Sequence, residues 1–149
     1  MAEAKQQQQP RPPPLRVVSG VDLERYQGVW YEIASMPSRF QPKDGRNTTA
    51  TYTLKPAADS SGNTVINVVN AGGRKRASIQ GTAWKADPSS PDAKLLVRFW
   101  VPPFLPLFPV TGDYWIMRLD EEHYQWALVG QPSRNYLWVS HFLLLSVHP

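Results

Sequence analysis

The stretch Asp22-Leu23-Glu24-Arg25-Tyr26-Gln27-Gly28-Val29-Trp30-Tyr31-Glu32-Ile33-Ala34 decides how the chain is read. It begins as one helical turn and runs on as a strand. Asp22 can cap the turn, because its carboxylate accepts from backbone N–H groups two or three residues on that have no intrahelical partner. Gly28 breaks the turn, since glycine takes backbone angles that other residues reach only with steric strain. Val29 to Ala34 mix β-branched, aromatic and small side chains, which suits a pleated, half-buried surface. Trp30 is expected to plug the start of a core. Taken alone, a Gly-x-Trp reads as an ordinary buried tryptophan near a first strand. The rest of the chain changes that.

At 149 residues the chain is expected to form one domain with a real core. The formal net charge is +4, and the one dense basic run, Arg74-Lys75-Arg76, is too short to argue for a nucleic-acid partner. There are no cysteines, so neither a disulfide framework nor a thiolate metal site is expected, and a reducing compartment suits the composition. Gln6 to Gln9 and Pro12 to Pro14 leave no apolar core for a secretory signal, and no run is long enough for a membrane-spanning helix. Without a secretory route, the glycosylation pattern at Asn47-Thr48-Thr49 carries little weight. Residues 1–16 read as a disordered Gln/Pro-rich tail.

From Val17 onward the pattern is that of strands and turns. Met36 to Gly45 is a loop with two prolines and an Asp-Gly pair, long for a hairpin connection. Strands are expected over Arg46–Lys55, Thr64–Asn70, Lys75–Lys85, Leu95–Val101, Val110–Leu119 and Tyr124–Gly130, with a last one starting at Tyr136. Asp59 to Asn63, Gly72-Gly73, Asp87 to Asp92, Asp120 to Glu122 and Gln131 to Asn135 supply the turns. Pro102-Pro103-Phe104-Leu105-Pro106-Leu107-Phe108-Pro109 is apolar throughout, yet its four prolines exclude a central strand or a regular helix. It is expected to be a connection, either packed over the domain's own mouth or exposed as a contact patch for lipid or a partner. Short strands at even spacing point to an all-β sandwich or barrel.

Catalytic chemistry is missing. His123, His141 and His148 lack metal-ligand spacing, so no metal is expected. There is no phosphate loop, no nucleophile elbow and no matched acid–base pair, hence no catalytic residue and no cofactor. Aromatic surface is abundant instead, with six tryptophans: Trp30, Trp84, Trp100, Trp115, Trp126 and Trp138. A small barrel either fills with such side chains or keeps room for one apolar ligand, and composition does not choose between the two.

Gly28-Val29-Trp30 followed by Thr111-Gly112-Asp113-Tyr114-Trp115 resembles the first two signature motifs of the lipocalins. Leu23-Glu24-Arg25-Tyr26, Trp30 to Ser35, Pro37 to Pro42, Val101 to Pro106 and Gly130 to Arg134 are similar to the plant temperature-induced lipocalins, relatives of the bacterial outer-membrane lipocalin. The resemblance spans about Val18 to Trp138. It implies an eight-stranded antiparallel up-and-down barrel holding a hydrophobic ligand, a fatty acid or other membrane-derived lipid. It also implies a cytoplasmic protein attached peripherally to the plasma membrane, with a role in temperature and oxidative stress tolerance. By position in the family pattern, Trp30 closes the barrel floor while Tyr114 and Trp138 line the cavity. By the same resemblance, Phe104, Leu105, Leu107 and Phe108 are expected to form the membrane contact.

The pattern departs from the family after Trp138. Where relatives carry an arginine and then a helix, this sequence reads Val139-Ser140-His141-Phe142-Leu143-Leu144-Leu145-Ser146-Val147-His148-Pro149. The expected domain therefore runs over 17–139, with 140–149 an atypical apolar segment, the family's C-terminal helix missing and the end altered and shortened. Phe142 to Leu145 can extend the last strand or stand as an aggregation-prone segment. Three alternatives to a lipid-binding lipocalin stay open: a lipocalin-fold enzyme acting on a lipid or carotenoid, a filled barrel that only contacts membranes, and a nonfunctional truncated splice product.

Overall fold

The computed structural model describes residues 11–36, 48–56, 65–72, 77–101 and 108–142, with 65–72 and 77 described by their backbone alone. Its strands are β1 (Gly28–Ser35), β2 (Thr49–Leu54), β3 (Val65–Gly72), β4 (Ala77–Lys85), β5 (Lys94–Val101), β6 (Phe108–Leu119), β7 (Trp126–Gly130) and β8 (Leu137–Phe142). Each pairs antiparallel with the next, and β8 returns to β1, closing the barrel. The closing ladder sets Trp30 opposite Phe142 and Tyr31 opposite His141, with a bulge between Glu32 and Ala34. The architecture is all-β, as the strand-and-turn pattern implies. Among the described residues, no helix is long and apolar enough to cross a membrane.

The helical turn expected before β1 is a single turn. The Tyr26 N–H donates to the Asp22 carbonyl at 3.1 Å. The Asp22 carboxylate accepts from the Glu24 and Arg25 N–H groups at 2.9 and 3.3 Å, so the cap is the one expected. Gly28 follows at φ 116°, and a Cβ there would overlap the Phe142 ring. Its glycine is thus required twice, by backbone angle and by close approach.

Three expected boundaries are corrected. The proline-rich connection is shorter than read, because Phe108 and Pro109 belong to β6 and pair with Val101 and Trp100. Pro109 is tolerated there because β6 is still an edge: its ladder with β7 starts only at Trp115. Tyr124, expected to open a strand, instead has φ 57° and sits in the turn before β7. Asp120 organises that turn, its carbonyl accepting from the Tyr124 N–H at 2.8 Å and its carboxylate from the His123 and Gln125 N–H groups at 3.2 and 3.3 Å. Ser140, His141 and Phe142 are ladder residues, so β8 runs past the domain edge expected at Val139. Leu143 to Leu145 lie outside the described residues.

The turn at Asp22–Tyr26, the β4–β5 turn and the β6–β7 turn gather at one end of the barrel. Arg25 fastens the first of these to the last. Its guanidinium lies 4.1 Å from the Tyr124 ring centroid and donates to the Glu122 carbonyl at 2.6 Å, while the Tyr124 hydroxyl accepts from the Asp22 N–H at 3.0 Å. Before the turn, Val18 bridges strands: its N–H donates to Ile116 and its carbonyl accepts from Ala93, each at 2.9 Å. The tail expected over residues 1–16 is described only from Arg11, and Pro13 accepts a hydrogen bond from Arg134.

Candidate binding site

Successive strand residues point to opposite faces, so in a barrel every second side chain faces inward. Trp30 faces inward at 1% exposure, and the register carries that face to Ala50 and Phe142. The same logic turns Tyr52, Ala83, Leu95, Tyr114, Ile116, Ala127 and Val129 inward, all of them buried. The core is therefore the closed end of the barrel, with an aromatic floor.

That floor is built ring on ring. Tyr26 stacks on Trp30 with centroids 4.6 Å apart at 25°, and the other face of the cluster continues from Trp30 to Phe142 at 5.5 Å. Tyr26 leads to Tyr52 at 5.4 Å, Tyr52 to Tyr114 at 6.1 Å and Tyr114 to Trp138 at 5.6 Å, the last two edge to face. These offset and edge geometries are the ones aromatic quadrupoles favour. The Trp30 indole N–H donates to the Tyr26 carbonyl at 2.9 Å, so this buried donor is satisfied by the turn that precedes it.

Three hydroxyls meet inside the floor. Tyr114 Oη lies 2.9 Å from Tyr26 Oη and 2.9 Å from Tyr52 Oη. Burial disfavours the phenolate, so all three acidities are suppressed. Tyr52 is pushed up to about 12 by desolvation, against a smaller opposing effect of its bond to Tyr114. Tyr26 is raised well above the ordinary range by burial and then by the charge Tyr52 would carry. Tyr114 is raised by burial, by Tyr26 and by Tyr52. The cluster is a neutral hydrogen-bonding centre at any physiological pH.

Of the residues singled out in the sequence, Tyr114 and Trp138 meet directly, and Trp30 joins them through Tyr26 and Tyr52 rather than by ring contact of its own. Trp138 is half-buried, as are Ala50, Val97 and Phe99, which pack against the core from above the floor. Phe108 is 63% exposed at the start of β6, at the far end of the barrel, near Trp100 at 47%. Phe104, Leu105 and Leu107 lie outside the described residues. Sequence reasoning missed Tyr26, Tyr52 and Phe142 as members of the floor. Tyr52 carried a usable signal, the Ala50-Tyr52-Leu54 alternation. Tyr26 did not, because its place depends on how the capped turn folds back under the barrel.

A family described as a lipocalin-like domain matches residues 21–141, from the capped turn through β8. The chain belongs to the lipocalin family. Temperature-induced lipocalin-1 of Arabidopsis thaliana is 57% identical over 127 residues, 84% of this chain and 64% of that protein. Outer membrane lipoprotein Blc of Citrobacter freundii is 40% identical over 136 residues, 87% of this lipocalin and 67% of its relative. The chain thus spans about two thirds of the length of these curated relatives. Among solved structures, insecticyanin from the tobacco hornworm Manduca sexta superposes with a TM-score of 0.67 at 18% identity, covering 87% of this chain and 67% of that one. At that identity the likeness concerns the fold. Both groups of relatives that the motifs pointed to, the plant temperature-induced lipocalins and the bacterial outer-membrane lipoprotein, are found among the matches.

Proposed function

We propose that this lipocalin carries a small hydrophobic molecule, a fatty-acyl or other membrane-derived lipid, inside the barrel above the aromatic floor. The observation that supports it is the inner face between floor and rim. There Val97, Phe99, Ala50 and Trp138 are half-buried side chains packed against the buried core. Apolar walls with few polar groups suit an apolar ligand. In this proposal Tyr114 and Trp138 touch the ligand, and Trp30 supports them from below. The protein acts as a carrier at the membrane surface. A role under temperature stress is inferred from the plant relative's name, and cytoplasmic placement at the plasma membrane and a role in oxidative stress from the family resemblance alone. Exposed Phe108, Trp100 and Val110 at the far end of β5 and β6 suit a membrane-contact edge.

The test is a near-ultraviolet circular dichroism melt of the chain with and without a long-chain lipid. Ligand at about 100 times its Kd adds about 2.7 kcal/mol. That corresponds to a rise in Tm of roughly 5–10 °C for a domain of this size. A cooperative transition that lipid leaves in place contradicts the proposal.

One observation favours the enzymatic alternative. Glu32 shares the inner face of β1 with Trp30, lies opposite Ser140 and accepts from the Ser35 hydroxyl at 2.6 Å. A single carboxylate does not make an acid–base pair. If lipid turnover is detected, Glu32→Gln abolishes it; if binding alone occurs, Glu32→Gln leaves it within about twofold.

A further inference from the structure

The hydroxyl cluster on the barrel floor bears on which class of lipid the cavity takes, a question that rests on the carrier proposal. Tyr26, Tyr52 and Tyr114 bring three O–H protons but share two hydrogen bonds, both centred on Tyr114. Each hydroxyl has one proton to give. If Tyr114 accepts from both neighbours, its own proton is spare. If it donates to one of them, that neighbour's proton is spare. Under either arrangement the cluster has one O–H donor more than its internal hydrogen bonds use. The three residues are 2%, 7% and 8% exposed, so an unused donor there is costly. Tyr114, the centre of the cluster, faces the Trp138 ring at the upper boundary of the floor.

The charge pattern of the inner face limits what can accept that proton. Among the described strand positions with inward parity, the one cation is Lys85, at the closed end of β4, and its Nζ donates to the Ser90 carbonyl in the β4–β5 turn. Arg98 faces outward over the Trp84 ring, with its Nε donating to Thr111 Oγ1, and Lys94 faces outward over Trp115. The acidic residue on the inner face, Glu32, has the same sign of charge as a fatty-acid anion. An ionised carboxylate seated on the floor would be stripped of water with only neutral hydroxyls to compensate it, a heavy penalty for a full charge. A carbonyl or ether oxygen loses little on the same transfer and gains the spare O–H.

We propose that the ligand's polar end is a neutral hydrogen-bond acceptor, the carbonyl of an ester, ketone or aldehyde, seated on the Tyr26–Tyr114–Tyr52 hydroxyls, and that ionised fatty acids are selected against. A protonated hydroxyl network with one donor beyond its internal hydrogen bonds reads the acceptor, and the one cation among the described inward positions, Lys85, is held by the Ser90 carbonyl in the β4–β5 turn. The plain hydrocarbon enters but forfeits the hydrogen bond.

The experiment compares dodecanoic acid, methyl dodecanoate and dodecane at neutral pH by displacement of a fluorescent apolar probe from the unmodified chain. The ester is expected to bind about 10-fold or more tighter than the ionised acid. It is expected to bind about 3- to 10-fold tighter than the hydrocarbon. In the variant carrying Tyr26→Phe, Tyr52→Phe and Tyr114→Phe together, the ratio of ester to hydrocarbon affinity falls to about one. Binding of the acid as tight as the ester, or equal binding of ester and hydrocarbon, overturns this inference and leaves lipid binding in the barrel standing. Failure of all three to displace the probe overturns the carrier proposal itself. The ligand series on the unmodified chain decides the matter even if the triple variant does not fold.

Discussion

Replacing Tyr114 by phenylalanine removes one oxygen atom and should cost more stability than any other tyrosine-to-phenylalanine change in the floor. The reason is its position at the centre: both Tyr26 and Tyr52 lie 2.9 Å from Tyr114 Oη, and no described bond links them to each other. Each lost hydrogen bond is worth about 1 kcal/mol net, and each buried hydroxyl left without its partner costs about 1–3 kcal/mol in desolvation. Tyr26 at 2% and Tyr52 at 7% exposure have little water to turn to. Y114F orphans two hydroxyls and should therefore lose about 2–6 kcal/mol, a large share of a domain's typical ~5–15 kcal/mol. Y52F, which removes one bond along with its own hydroxyl, should lose about 1 kcal/mol. The triple phenylalanine variant should be more stable than Y114F, because replacing all partners by apolar groups leaves nothing unsatisfied. Urea unfolding followed by near-ultraviolet circular dichroism, with unchanged m values, measures all three. If Y114F costs no more than Y52F, or the triple variant is the least stable, the three hydroxyls do not act as a unit, and the ligand selectivity assigned to them falls with that.

The same geometry sets other outcomes. Because the Tyr52 acidity is pushed up to about 12 in the folded state, its contribution is fully present below the ordinary tyrosine value near 10 and is lost as pH rises through 12. Tyr26 and Tyr114 act in the same direction. Urea midpoints measured at about pH 9 and about pH 11 should fall more steeply for the unmodified chain than for Y52F; equal slopes would count against a buried neutral cluster. Gly28→Ala places a Cβ into the Phe142 ring at φ 116° and should cost about 1–3 kcal/mol. Gly20→Ala, at φ 69° but with open space around it, should cost less, and a reversed order would show that β8 does not pack under Gly28. Replacing Phe104 and Phe108 together by serine should reduce co-sedimentation with phospholipid vesicles several-fold while leaving displacement of the apolar probe unchanged. Vesicle binding that survives the change would move the membrane contact elsewhere.

How much of this was legible in the sequence varies with the kind of interaction involved. Strands such as Leu95–Val101 announce themselves through alternation, because burial of one face forces a period of two. The Asp22 cap was legible because it is local: its acceptor and donors are within three residues of one another. Tyr124 was misplaced because its turn is set by the Asp120 side chain and locked by Arg25, a contact across the barrel end that no local pattern encodes. Pro109 was misplaced because a proline's cost depends on whether its strand has a neighbour at that level, which is a property of the ladder. At the candidate site, Trp30, Tyr114 and Trp138 could be picked from motif position. Tyr26 and Tyr52 could not be joined to them, since hydroxyls that meet across 62 and 88 residues are a product of barrel closure.

Whether the barrel of this lipocalin holds a lipid over the Tyr114 and Trp138 rings can be seen outright. The experiment is a crystal structure of the chain grown with a long-chain lipid ester brominated along its tail. Anomalous density is expected inside the barrel above Trp138, with the ester carbonyl at hydrogen-bond distance from the tyrosine cluster. Bromine density confined to the outer wall or to the exposed edge around Trp100 and Phe108, with a barrel packed shut above Tyr114, would contradict lipid carriage in the barrel.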